Sequence, residues 1–119
     1  MVHPPYIGYT IIFTNDAKKD LRLIEKQIIS RIFEKVKELT SSKSDHLNIK
    51  KLKSKNDLYR LRMGDYRIVY CIKHEKIIVY VVAIGHRKDI YSNLDRRLVK
   101  TILENKTWKQ LSSTLMVSS

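Results

Sequence analysis

The sequence predicts an α+β domain: a mainly antiparallel sheet of four to five strands, an N-terminal helical hairpin or one long helix packed on one face, and a C-terminal helix. Three observations predict it. Apolar residues recur at spacings of three and four through 15–40, the period of an amphipathic helix. Four short β-rich runs follow between 48 and 84, two of them joined by Gly64-Asp65. Helical spacing then returns over 92–103. A chain of 119 residues with 43 % hydrophobic content suits one domain with a core of its own. We therefore read 1–119 as a single domain, with a core of about 9–104 and a flexible tail over 107–119.

Taken in order, Tyr9-Thr10-Ile11-Ile12-Phe13 is a short β-prone run. Thr14-Asn15-Asp16 then reads as a helix N-cap followed by a first-turn acid. Leu21, Ile24, Ile28, Ile32, Val36 and Leu39 form the helical stripe, widened by Ile29 and Phe33. No Gly or Pro interrupts 15–40, so the spacing fits one helix or two. Thr40 to Asp45 is a polar loop. The strands are expected at 48–53, 58–63, 66–73 and 77–84, and the last is free of charge, which places it in mid-sheet with both faces buried. Ser92 and Asp95 have capping-box spacing ahead of an apolar stripe of Leu94, Leu98, Val99, Ile102 and Leu103.

Composition narrows the function classes. A single cysteine, Cys71, excludes an internal disulfide framework and a multi-cysteine zinc site, and its place between Tyr70 and Ile72 is that of a core residue rather than a nucleophile. His3, His46, His74 and His86 lack metal-ligand spacing. The longest apolar run, Ile77 to Gly85, is nine residues, about half of the roughly 18–20 that a membrane-spanning helix needs. The first residues carry neither a positive n-region nor a long apolar h-region, so the expectation is a cytoplasmic protein without a membrane partner.

The net charge of +12 is unevenly placed. Segment 15–40 carries seven basic against five acidic groups, whereas 41–70 carries eight against three, so the excess sits where strands are expected. A basic patch on one element is the footprint of a polyanionic partner. Lys50, Lys51, Lys53 and Lys55 form a run suited to nucleic-acid phosphates, or nearly as well to a charged edge strand that resists aggregation.

The arginines are placed by strand geometry. If Gly64-Asp65 makes a two-residue hairpin, 63 faces 66, 61 faces 68 and 59 faces 70. Tyr59, Leu61, Met63, Tyr66, Ile68 and Tyr70 then share the core face, and Arg60, Arg62, Arg67 and Val69 share the other. With His74-Glu75-Lys76 as a three-residue turn, Arg67 pairs with Ala83, and Arg87 has the parity of the same face. Guanidiniums stay protonated and fork onto phosphate oxygens, which suits binding a phosphodiester and stabilising charge that develops on it. A charged face that merely stays wet, or a phosphate clamp without chemistry, fits the same pattern.

At these residues the chain resembles a known family. Leu58-Tyr59-Arg60-Leu61-Arg62-Met63-Gly64-Asp65-Tyr66-Arg67-Ile68-Val69-Tyr70 and Ala83-Ile84-Gly85-His86-Arg87-Lys88-Asp89-Ile90-Tyr91 look like the paired motifs of the RelE/ParE toxin superfamily, over about 9–91. The resemblance implies a toxin of a type II toxin–antitoxin system. In the RelE-like branch it implies an endoribonuclease, an mRNA interferase that cuts message in the ribosomal A site without a metal or other cofactor. The RNA's own 2′-hydroxyl attacks the adjacent phosphate and leaves a 2′,3′-cyclic phosphate and a 5′-hydroxyl. The carried-over roles give Arg67 the scissile phosphate, Arg87 the leaving 5′-oxygen and Tyr91 the stacking or orienting of a nucleotide. Arg60 and Arg62 stand where the best-known RelE toxin has lysines. Arginine, with a pKa above about 12, is a poor general base, so either electrostatics suffice or Lys51, Lys53 or Lys55 reaches in. The partners implied are a cognate antitoxin, the ribosome and mRNA. Two alternatives share the resemblance: a ParE-like toxin that binds and poisons DNA gyrase, and an inactive toxin that only binds its antitoxin.

Overall fold

Thr14 ends the first strand and starts the first helix with one side chain: its hydroxyl accepts a 3.2 Å bond from the Ala17 amide. In the computed structural model, which describes residues 4–52, 58–86, 90–91 and 94–101, this cap joins β1 (Thr10–Phe13) to α1 (Asn15–Leu21). The chain turns over 22–25, with Leu23 88 % exposed, and resumes as α2 (Lys26–Lys37). The helical region is therefore two helices. Ile32 and Val36 are fully buried, whereas Phe33 lies half in solvent with its ring edge-on to Phe13 at 5.3 Å.

The remaining strands are β2 (Asn48–Lys51), β3 (Leu58–Met63), β4 (Tyr66–Lys73) and β5 (Ile78–His86). A helix over 94–101, α3, follows. The sheet order is β1-β5-β4-β3-β2, antiparallel except for the parallel β1–β5 pair. As expected, β5 lies inside the sheet, and Val79 to Ile84 are buried. Gly64 takes φ 59° at the first central position of the β3–β4 turn, the left-handed geometry that a type II′ hairpin requires there. The predicted register follows: Met63 opposite Tyr66, Arg62 opposite Arg67, Leu61 opposite Ile68.

The β4–β5 register departs from the prediction twice. The connection has four residues, a 3-10 turn over His74–Lys76 and then Ile77 in the left-handed region at φ 57°. A β-bulge at Val69/Tyr70 then leaves Val82 without a ladder partner. The longer turn moves the pairing by one residue and the bulge by one more. Arg67 therefore faces Gly85 rather than Ala83, and position 85 keeps the parity of the arginine face.

Helices pack on both faces of the sheet. One core holds Tyr6, Ile32, Val36, Leu39, Leu61, Ile68, Tyr70 and Val81 beneath α1 and α2. The second holds Leu58, Val69, Cys71, Val82, Ala83, Ile90, Leu94 and Leu98, so α3 covers part of the face that bears the arginines. Leu94, Leu98 and Thr101 form the buried line of α3, a narrow stripe at i, i+4 and i+7, and Val99 turns outward at 54 % exposure, contrary to prediction. Ser92, Ile102, Leu103 and the expected tail lie outside the described residues. No described helix is long and apolar enough to cross a membrane.

Candidate nucleic-acid site

The β3–β4 hairpin sets two guanidiniums against one carbonyl. Arg62 Nε donates to the Gly64 carbonyl oxygen at 3.1 Å and Arg67 Nη1 to the same oxygen at 3.3 Å. The two residues are direct cross-strand partners. Like charges directly opposite one another destabilise a sheet, and here a single backbone oxygen is shared between them. A phosphate would answer the excess charge with oxygens that suit guanidinium forks.

Two positions up β3, Arg60 is half-buried opposite Val69. Its Nη2 donates to Asn48 Oδ1 at 2.9 Å, while its Nε is buried without an acceptor. A buried donor left unpaired carries a desolvation cost that an incoming oxygen would relieve. The strand pairing thus brings Arg60, Arg62 and Arg67 together on one face, as parity predicted.

The lysine run does not act as a unit. Lys50 stands opposite Arg60 and joins the arginine face, but Lys51 stands opposite Tyr59 and belongs to the other face. Alternation along β2 separates them, which removes Lys51 as a base reaching the arginines. Lys53 and Lys55 lie outside the described residues, as does Arg87.

Gly85, opposite Arg67, presents no side chain to it. A methyl group added there would overlap the Ile90 side chain, so Ile90 sits directly on Gly85. Tyr91 follows Ile90 and packs, half-buried, against the second core. His86 pairs with Tyr66 and sits on the face away from the arginines, its ring edge-on to Tyr66 at 5.2 Å and its Nε2 3.9 Å from Asp65.

Two groups at this end of the fold carry no local sequence signal. Asp20, in α1, and Arg97, in α3, form a forked ion pair with contacts of 2.6 and 3.1 Å. Their separation in sequence, 77 residues, hides them from any spacing rule. Asn48 was within reach of register counting, since it stands opposite Arg62. Cys71 is buried, as expected of a core residue.

Among known proteins, a family model described as the ParE toxin of type II toxin–antitoxin system, parDE, matches residues 11–91. A RelE-like toxin protein of Escherichia coli is 31 % identical over 94 residues, covering 76 % of this chain and 97 % of the relative. The mRNA interferase toxin RelE of Escherichia coli K12 is 29 % identical over 97 residues, covering 78 % of this chain and all of the relative. A free-state structure of an Escherichia coli RelE mutant superposes with a TM-score of 0.61 at 25 % identity, over 81 % of this chain and 99 % of that one. The toxin in the RelB–RelE antitoxin–toxin complex of Methanococcus jannaschii does so at 0.57 and 29 %, over 70 % and 98 %.

Proposed function

Because the chain belongs to the RelE/ParE superfamily of type II toxin–antitoxin toxins, we propose that it is a ribosome-dependent endoribonuclease that cleaves mRNA in the A site and so arrests translation. The observation that carries this reading is the arginine face: Arg62 and Arg67 opposed across the ladder on one carbonyl, beside a half-buried Arg60 with an unpaired Nε. The name mRNA interferase borne by a relative at 29 % identity supports it.

In this reading the scissile phosphate lies against Arg67, which neutralises the charge that grows on the phosphoryl oxygens as the adjacent 2′-hydroxyl attacks. Arg60 and Arg62 hold the flanking backbone, with Lys50 at the rim. Arg87 assists the leaving 5′-oxygen and Tyr91 stacks on or orients a nucleotide. No metal or other cofactor enters the scheme, and the chain supplies positioning and fixed positive charge. Lys53 and Lys55 contact ribosomal RNA. The protein acts in the cytoplasm, and an acidic or amphipathic segment of a cognate antitoxin neutralises it by covering the arginine face or displacing α3. The RelB-bound structure of a relative supports an antitoxin partner.

A second reading has one specific support. The matching family model is that of the ParE branch, whose members by resemblance poison DNA gyrase without cleaving RNA. Purified protein incubated with programmed ribosomes and, separately, with free mRNA decides between them by primer extension. Cuts only on ribosome-bound message, ending in 2′,3′-cyclic phosphate, are the expected result. Growth arrest by a folded protein that makes no cuts would transfer the arginine face to gyrase binding.

A further inference from the structure

β1 ends at Phe13, opposite Val81, and its last backbone bond to β5 runs from the Thr14 amide to the Val81 carbonyl. Past that point no strand among the described residues borders β5 on the β1 side, and two side chains close the edge. Asp20 Oδ2 accepts from the Ile84 amide at 2.9 Å, and Arg97 Nη1 donates to the Val82 carbonyl at 3.1 Å. The same two residues bind each other through both arms of the fork. One carboxylate therefore grips the chain twice, at Ile84 as it nears the end of β5 and at Arg97 once α3 has begun. Tyr91 lies midway between these two grips, and Ile90 before it is seated on Gly85.

We infer that Asp20 is a positioning residue of the cleavage site: through Ile84 and Arg97 it fixes both ends of the segment that carries Tyr91 against the arginine-bearing sheet. The inference rests on the nuclease reading above. The pair is well placed for the task, because its side chains are only 17 % and 25 % exposed and solvent screens it weakly. The neighbouring Lys100–Asp16 contact, at 3.6 Å with a half-exposed lysine, is looser and leaves α3 free to pivot if Asp20 lets go. Catalysis is sensitive to this kind of slack, since a misplacement of about 1 Å can cost on the order of 100-fold in rate.

The experiment compares wild type, Asp20→Asn, Arg97→Lys, Arg97→Gln and the Asp20→Asn/Arg97→Gln double variant on programmed ribosomes, well below every melting temperature. Amide hydrogen exchange is followed over 84–101 and, as a control for the fold, over 58–72. Asp20→Asn is expected to slow cleavage at saturating ribosomes by roughly 10- to 100-fold while the half-saturating concentration stays put, and exchange should accelerate over 84–101 alone. Arg97→Lys should retain more of the rate than Arg97→Gln, and the double variant should lose less than the product of the two single losses, because both remove the same ion pair although each also gives up its own contact to β5. An Asp20→Asn protein that cleaves at the wild-type rate overturns the inference alone, even if exchange quickens. So does a loss of protection that extends through 58–72, which would make Asp20 a general stabiliser. Wild type that cleaves nothing would instead remove the nuclease reading, and this role for Asp20 with it.

Discussion

Arg62 and Arg67 illustrate how little the local structure gains from its own arrangement. Two permanent cations face each other across a ladder and share one carbonyl. Removing one should leave the sheet intact and spare it the like-charge opposition. Arg67→Ala is therefore expected to melt at or slightly above the wild-type temperature in a circular-dichroism scan, yet to lose about 100-fold or more in message cleavage. Wild-type toxicity on expression would remove Arg67 from the site. Arg62→Lys should retain or raise activity, since an ammonium there keeps the charge and restores the residue type that the resemblance implies for this position. A dead Arg62→Lys, read in the same assay, would mean that the forked geometry is what the position supplies.

At the scale of elements, the turn over 74–77 has a residue poorly suited to its conformation. Ile77 is β-branched, half-exposed and left-handed, a backbone region that costs roughly 1–2 kcal/mol for most side chains. Ile77→Gly should stabilise the fold by about 0.5–1 kcal/mol after the entropy lost to glycine is deducted, measured by urea denaturation. The buried Tyr6 and Tyr70 hydroxyls, 3.2 Å apart, make a second prediction. Burial pushes the Tyr6 hydroxyl up to about 12 and raises that of Tyr70 further. The unfolded chain sheds these protons from about pH 10 and the folded one does not, so the unfolded state binds fewer protons and stability falls as pH rises above 10. Melting scans at pH 9, 10 and 11 should show that fall, and Tyr70→Phe should flatten it. The same elements show what was legible in the sequence. Gly64-Asp65 fixed one hairpin because glycine at the turn and alternation on both sides agree. The 74–77 turn is one residue longer than the spacing predicts because Ile77 looks like strand, and a bulge leaves no mark on composition. The break at 22–25 was unreadable for a similar reason, since it contains neither Gly nor Pro. Asp20 and Arg97 are ordinary surface residues until the fold brings them together.

For the molecule as a whole, a charge of +12 predicts an association driven largely by counterion release. If Arg60, Arg62, Arg67 and Lys50 each neutralise one phosphate, log K for ribosome binding should fall with log salt at a slope of about −3, some 60-fold between 50 and 200 mM. Arg67→Ala should reduce that slope by roughly one. A flat salt response, measured by pelleting with ribosomes, would leave the basic face without its polyanion. The bulge at Val82 has a consequence for how such a fold can change over generations. It sets Val82 and Ala83 side by side on the layer beneath α3 and supplies the carbonyl that Arg97 holds, yet the ladder on either side pairs without it. Deleting that one residue would keep every strand in phase and leave the helical-hairpin core untouched, while taking from the terminal helix both part of its floor and one of its fastenings. The two layers of this molecule are thus separable by a single codon, and a lineage could loosen or tighten its last helix without relearning how to fold its sheet.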